Sequence, residues 1–260
     1  MKKVILLLCF IVLSGGSAFA GNCFIAKENG KILQSEGACD KRYAPMSTFK
    51  IVLSLIGFDS GILIDETHPV WPFKEGYDDW RDVWKQDQTP KSWIKESCVW
   101  YSKVLTTQLG MEAFQTYITK FDYANKDLSG DKGQNNGLTN AWLSSSLQIS
   151  STEQIAFLEK MLAGKLPVKP QAIEMTKNIL FVEALKDGWM LYGKTGMGSV
   201  LNADGTKNPD LSHGWCIGWI EKGDRKIIFS SHMGDNKKEE ISASLRAKLD
   251  AKERLIKIVN

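Results

Sequence analysis

The chain has 260 residues, of which 43% are hydrophobic and 24% charged, and its 33 Lys and Arg nearly balance 30 Asp and Glu. That length supports one large domain or two interleaved lobes around a substantial core. A formal charge of only +3 excludes the strongly basic surface that nucleic acid or an anionic membrane would need, so neither is expected as a partner.

The first twenty residues carry Lys2 and Lys3, an apolar run from Val4 to Val12, and Ala18-Phe19-Ala20 in a small-x-small pattern. This predicts a secretory signal peptide over 1–20, cleaved after Ala20, with no stable membrane association afterwards. The run is too short to span a bilayer, which takes about 20 apolar residues. Export makes disulfides chemically permissible. Residues 23–36 read as two short strands around the turn "ENGK", with Cys23 and Cys39 at the ends of the hairpin. Two readings stand for that pair, a disulfide or two reduced buried thiols, because sequence does not fix the distance between their α-carbons.

From about Ser47 to Asn178 helical patterns and tryptophan-rich loops dominate. The stretch "PMSTFKIVLSLIGF" places Ser47, Lys50, Ser54 and Gly57 in one narrow stripe of a helix that is otherwise apolar all round. A helix of this kind is normally buried. In the plainer reading Lys50 snorkels to water and Ser47 caps the helix. In the other, burial strips the amine of its proton, and a neutral Lys50 becomes the base that a serine nucleophile requires. Strands follow at 189–198, 213–221 and 225–233, the last two joined by the turn "KGD". A final helix is expected to cover the sheet with Ile241, Leu245, Leu249, Ile256 and Val259.

Strands at both ends and helices between predict an α+β fold: an antiparallel sheet built from both chain termini with flanking helices, plus an all-helical lobe. The expected organisation is a single domain over 21–260, with a sheet lobe at about 21–46 and 180–260 and a helical lobe at about 47–179. A cleft between the lobes is the natural ligand site. Other chemistries lack their residues. There are three histidines, His68, His213 and His232, and no G-x-S-x-G elbow. His213 and Cys216 have no companion cluster, so no metal site is expected. No glycine loop followed by lysine cradles a phosphate.

Ser-x-x-Lys at 47–50, a second serine motif read at Ser102-Lys103-Val104, and Lys194-Thr195-Gly196 at a strand end form the ordered signature of penicillin-recognising serine enzymes. With "FDYANKDLSGD" at 121–131 and "NNGLTNAWLSSSLQIS" at 135–150, the mature chain resembles the class D β-lactamases, the oxacillinases. Tyr123-Ala124-Asn125 and Trp142 set this class apart from other serine β-lactamases. The resemblance implies an exported, periplasmic hydrolase that acts on penicillin-type β-lactams through an acyl-enzyme on Ser47. It implies N-carboxylated Lys50 as general base, with carbon dioxide or bicarbonate as the only cofactor. It also implies an oxyanion hole from the backbone amides of Ser47 and Met197, and proton transfer through Ser102. Lys194, Thr195, Gly196, Met197 and Ser102 would meet the substrate, and Val104 and Trp142 would wall the carbamate. Ala124 stands where the family usually has glycine, which suggests that a glycine-only backbone angle is not required. The family's arginine after the last strand is absent, and Arg246 is the first arginine beyond it. That leaves Lys237, Lys238, or Lys194 with nearby hydroxyls for the substrate carboxylate. The resemblance fits a monomer or a homodimer. The alternatives are a β-lactam receptor and a peptidoglycan D,D-peptidase, which share the nucleophile.

Overall fold

A computed structural model describes residues 21–202 and 204–260; the expected signal peptide lies outside them. The chain opens with β1 (Cys23–Glu28) and β2 (Lys31–Gly37), and Cys23 and Cys39 form a disulfide with their α-carbons 5.0 Å apart. A 3-10 turn, Met46–Phe49, runs straight into α1 (Lys50–Ser60), which stops at Gly61 with φ 81°. Then come α2 (Pro90–Glu96), α3 (Val99–Leu109), α4 (Met111–Phe121), α5 (Gly137–Asn140), α6 (Ser151–Leu162) and α7 (Pro170–Ile179). Helix starts follow local chemistry. Thr89 and Ser92 close a capping box on α2 behind Pro90, and Ser150 and Glu153 do the same for α6.

The chain returns through β3 (Phe181–Ala184), β4 (Met190–Leu201), β5 (Lys207–Lys222), β6 (Arg225–Gly234) and α8 (Ala243–Val259). Together they make one six-stranded antiparallel sheet in the order β2-β1-β6-β5-β4-β3. The expected sheet from both termini is therefore present, extended by β3, a four-residue edge strand too short to show a period in sequence. β5 is buried without a break from His213 to Ile220 because both sheet faces are covered. One face meets the helices through Trp215, Ile217 and Trp219, and the other meets α8 through Cys216, Ile220 and Phe229.

The C-terminal helix corrects an expectation. Ile241 precedes it, and Leu245, Leu249 and Ile256 are exposed, while Val259 is only partly buried. The face against the sheet is Ala243, Ala247, Ala251 and Leu255. The cause is close approach: a Cβ built on Gly214 of β5 would sit 2.1 Å from the Ser244 amide nitrogen. Only small side chains fit a helix seated that near a strand.

Candidate functional site

Ser47 sits in the 3-10 turn, and Lys50, one turn on, is completely buried. Its neighbours along α1, Phe49, Ile51, Val52 and Leu53, are buried apolar side chains, so the amine cannot snorkel past them to the surface. Lys50 Nζ donates to Ser47 Oγ at 3.3 Å. Burial, assisted by the nearby positive charge of Lys194, pulls the Lys50 pKa down to about 7. The snorkelling alternative is thereby excluded, and the amine is poised to take a proton from the hydroxyl beside it.

The turn is held from several sides. Met46 adopts φ 52°, a left-handed angle costing roughly 1–3 kcal/mol in a non-glycine residue. Its amide donates to Trp142 O at 3.0 Å, and its sulfur accepts from the Ser144 amide at 3.1 Å. Thr48 Oγ1 donates to Pro45 O at 2.6 Å and accepts from Gln154 Nε2 at 3.1 Å. Gln154 in turn accepts from the Tyr123 hydroxyl at 3.5 Å. Asn125 ties the following loop: its Nδ2 donates to Ser146 O at 2.8 Å and its Oδ1 accepts from the Gln148 amide at 3.0 Å. Tyr123 and Asn125 thus brace the segments that carry Trp142 and Thr48 and do not face the cleft. Ala124 between them has φ 57°. The left-handed angle is therefore kept here at an alanine's cost, contrary to the expectation from its identity.

Across the cleft, β4 passes so close to the turn that a Cβ on Gly196 would lie 3.0–3.1 Å from Pro45 O, Ser47 N and Thr48 N. Lys194, also on β4, is buried, with its Nζ donating to Ser97 Oγ and to Thr195 O at 3.2 Å. Burial lowers its pKa to about 8; Cys216 and Glu96 oppose that shift, and Arg81 and Lys248 add to it.

The serine facing Lys194 is thus Ser97, and the expectation of Ser102 is corrected. Ser102 is completely buried inside α3 and accepts from Trp93 Nε1 at 2.9 Å. Val104 is half-buried beside Tyr77 and Trp100 at another cavity, and Lys103 pairs with Asp78 at 2.9 Å. The sequence "SCVWYSKV" holds two Ser-x-Val triplets five residues apart. The earlier one is at the site because Ser97 caps α2 in a left-handed conformation, φ 57°, ahead of α3. Its place after a capped, lysine-rich helix was the available signal.

A cavity of about 580 Å3 brings together Ser47, Ser97, Val99, Thr195, Gly196 and Met197, with Trp80, Arg81, Lys207 and Ser244 at its edges. Lys207 and Ser244 were not anticipated. Lys237 and Lys238 are exposed and do not line this cavity, and Arg246 is held by Asp235. Trp142 is completely buried, its ring 5.4 Å from that of Phe49, and its indole nitrogen has no partner among the described residues. His213 and His232 stack on Tyr43 in the core, kept neutral by burial, and take no part in the cleft.

A sheet closed by both chain ends and a serine with lysines on two sides define a penicillin-recognising serine enzyme. In agreement, the family of the penicillin binding protein transpeptidase domain matches residues 21–252. Beta-lactamase OXA-9 of Klebsiella pneumoniae is 37% identical over 262 residues, covering 96% of each chain. Beta-lactamase OXA-1 of Escherichia coli is 40% identical over 234 residues, covering 88% of this chain and 82% of the relative. The crystal structure of OXA-427 class D β-lactamase superposes with a TM-score of 0.85 at 45% identity, covering 91% of this chain and 99% of that one. The chain belongs to the class D β-lactamase family.

Proposed function

We propose that the chain hydrolyses the amide of penicillin-type β-lactams through an acyl-enzyme on Ser47. The observation that carries this reading is the Lys50 Nζ to Ser47 Oγ contact of 3.3 Å, made by a completely buried lysine to a serine that lines the cleft. Ser47 Oγ attacks the lactam carbonyl carbon while its proton passes to the base at Lys50. The backbone amides of Ser47 and Met197 receive the developing oxyanion. As the ring C–N bond breaks, Ser97 gives its proton to the leaving nitrogen, and Lys194, hydrogen-bonded to Ser97, replaces it. Thr195 and Ser244 offer hydroxyls, and Lys207 a positive charge, to the substrate carboxylate in the absence of the family's arginine. Water activated by the same base then releases the acid and restores Ser47.

We further propose that Lys50 is N-carboxylated. A buried indole N–H with no acceptor is costly, and Trp142 Nε1 beside the nucleophile turn is such a donor, so the residues fit a carbamate there. When present, the carbamate supplies an anionic base at the end of the Lys50 side chain. Carboxylation needs a free amine, which the lowered pKa provides. Val99 takes the walling role expected of Val104.

Export to the periplasm is part of this proposal, supported by the leader pattern and by the Cys23–Cys39 disulfide. Residues 21–260 are read as one domain on the ground that both ends build the same sheet. Among the described residues no helix is long and apolar enough to cross a membrane.

Mixing the enzyme with a penicillin and following intact mass together with product tests the proposal. The expected result is a Ser47 adduct that decays while many equivalents of product accumulate. A stoichiometric adduct that persists would overturn it in favour of a β-lactam receptor or a D,D-peptidase.

A further inference from the structure

We propose that a second cavity, on the far side of Lys194 from Ser47, is a binding site for a single-chain hydrophobic carboxylate. The cavity holds about 330 Å3, within the range of small-molecule sites, and shares only Thr195 with the lining of the catalytic cleft. It lies between α2, the α7–β3 connection, β4 and α8. Its walls are apolar: Ile94, Leu180, Phe181, Val182, Leu191 and Phe229 all contribute.

The charged side chains on its lining are of one sign, with Glu66, Glu96 and Glu183 just outside it. Lys91, Lys95 and Lys248 line its exposed side, Lys194 lines it with an ammonium already bonded to Ser97, and among the described residues no Asp or Glu is on the lining. Lys91 is engaged by Glu66 at 2.8 Å, but Lys95 and Lys248 approach Glu96 and Glu183 only at 4.0 Å. An apolar chamber with amines at its edge is complementary to an alkyl chain ending in one negative charge. A neutral chain would gain nothing from the amines, and a small inorganic anion would leave the apolar walls wet. Phe181 and Val182, both exposed on edge strand β3, extend the apolar surface outward from the chamber.

The site adjoins the hydrolytic one through Lys194 and Thr195 but does not need the hydrolytic proposal to hold, and its test is a binding measurement. The probe is the fluorescent anionic amphiphile 1-anilinonaphthalene-8-sulfonate, displaced by octanoate and decanoate from enzyme whose Ser47 is already blocked by a slowly released β-lactam. The expected result is one saturable site on the blocked enzyme. Decanoate should displace the probe, tightening about fourfold per added methylene over octanoate, and decanol should do so poorly. The double variant Lys91→Glu/Lys95→Glu should weaken decanoate about tenfold while leaving penicillin turnover unchanged, and Val182→Trp should exclude it by filling the chamber. Equal displacement by decanol, loss of the site on blocking Ser47, or indifference to both variants would overturn the proposal. So would pelleting of the enzyme with phosphatidylglycerol vesicles in place of decanoate binding, which would assign the lysines to a membrane surface.

Discussion

The molecule buries two lysines, each behind a serine of the catalytic cleft, and their surroundings differ. Lys50 lies in a helix with apolar neighbours and has one hydrogen-bond partner, the Ser47 hydroxyl. Lys194 lies on a strand among Cys216, Glu96, Arg81 and Lys248, with Ser97 and a carbonyl as acceptors. Burial lowers both, to about 7 and about 8. Burial is the first cause in both, and each has groups that oppose it, Cys98 and Asp78 for Lys50 and Cys216 and Glu96 for Lys194. The lesson is that desolvation prepares both amines, and the hydroxyl that each one faces sets what it does with its proton.

The largest effect expected from this contrast is at Lys50. Lys50→Met keeps the volume and removes the amine, so kcat should fall by about 10^3 or more. Its thermal midpoint should be unchanged or raised, because a group that is costly to bury in charged form is gone. A variant that loses stability along with rate would break the contrast.

Next comes the partner of Lys194. Ser97→Ala should lower kcat/KM by about 10^2–10^4, the usual worth of a general acid. Ser102→Ala should leave kcat/KM within about threefold yet cost about 1–3 kcal/mol in urea unfolding, since Trp93 Nε1 loses its acceptor. The opposite assignment of rate and stability would restore Ser102 to the site.

A smaller effect is the pH dependence of stability. In the unfolded chain both lysines titrate near about 10.4. Between pH 7 and 9 the unfolded state therefore binds more protons than the folded state, and stability rises with pH, by at most about 1.4 kcal/mol per pH unit for each lysine. Below about pH 7 both states hold these protons and this contribution to the slope vanishes. Urea titrations at pH 7, 8 and 9 in carbonate-depleted buffer, where Lys50 is the free amine, should show the rise, roughly halved in Lys50→Met. The smallest effect concerns the brace under the turn. Ala124→Gly should relieve the left-handed strain and stabilise by about 0.5–1 kcal/mol, measured by the same titration, with kcat unchanged.

Much of this was legible in the sequence, for reasons that can be named. The closeness of Ser47 and Lys50 was legible because a three-residue spacing puts both on one stripe of an apolar helix, but the spacing alone left snorkelling open until the burial of Lys50 was seen. The core strands showed themselves through long buried runs such as "HGWCIGWIE". Ser97 was missed because a three-residue pattern says nothing of whether its serine caps a helix or lies inside one. The sheet-facing side of α8 was misread because hydrophobic periodicity favours leucine and isoleucine, whereas the close approach at Gly214 selects alanine. The angle at Ala124 was misjudged because side-chain identity reveals preference, and tertiary bonds from Asn125 on one side and Tyr123 on the other override it.

The central claim, that burial frees the Lys50 amine for carboxylation and the resulting carbamate is the base for Ser47, is tested most directly by carbon-13 NMR in labelled bicarbonate. The account predicts one carbamate resonance in the wild type, absent from Lys50→Met, with turnover that falls in carbonate-depleted acidic buffer and returns on adding bicarbonate. No such resonance, together with full turnover in depleted buffer, would contradict it.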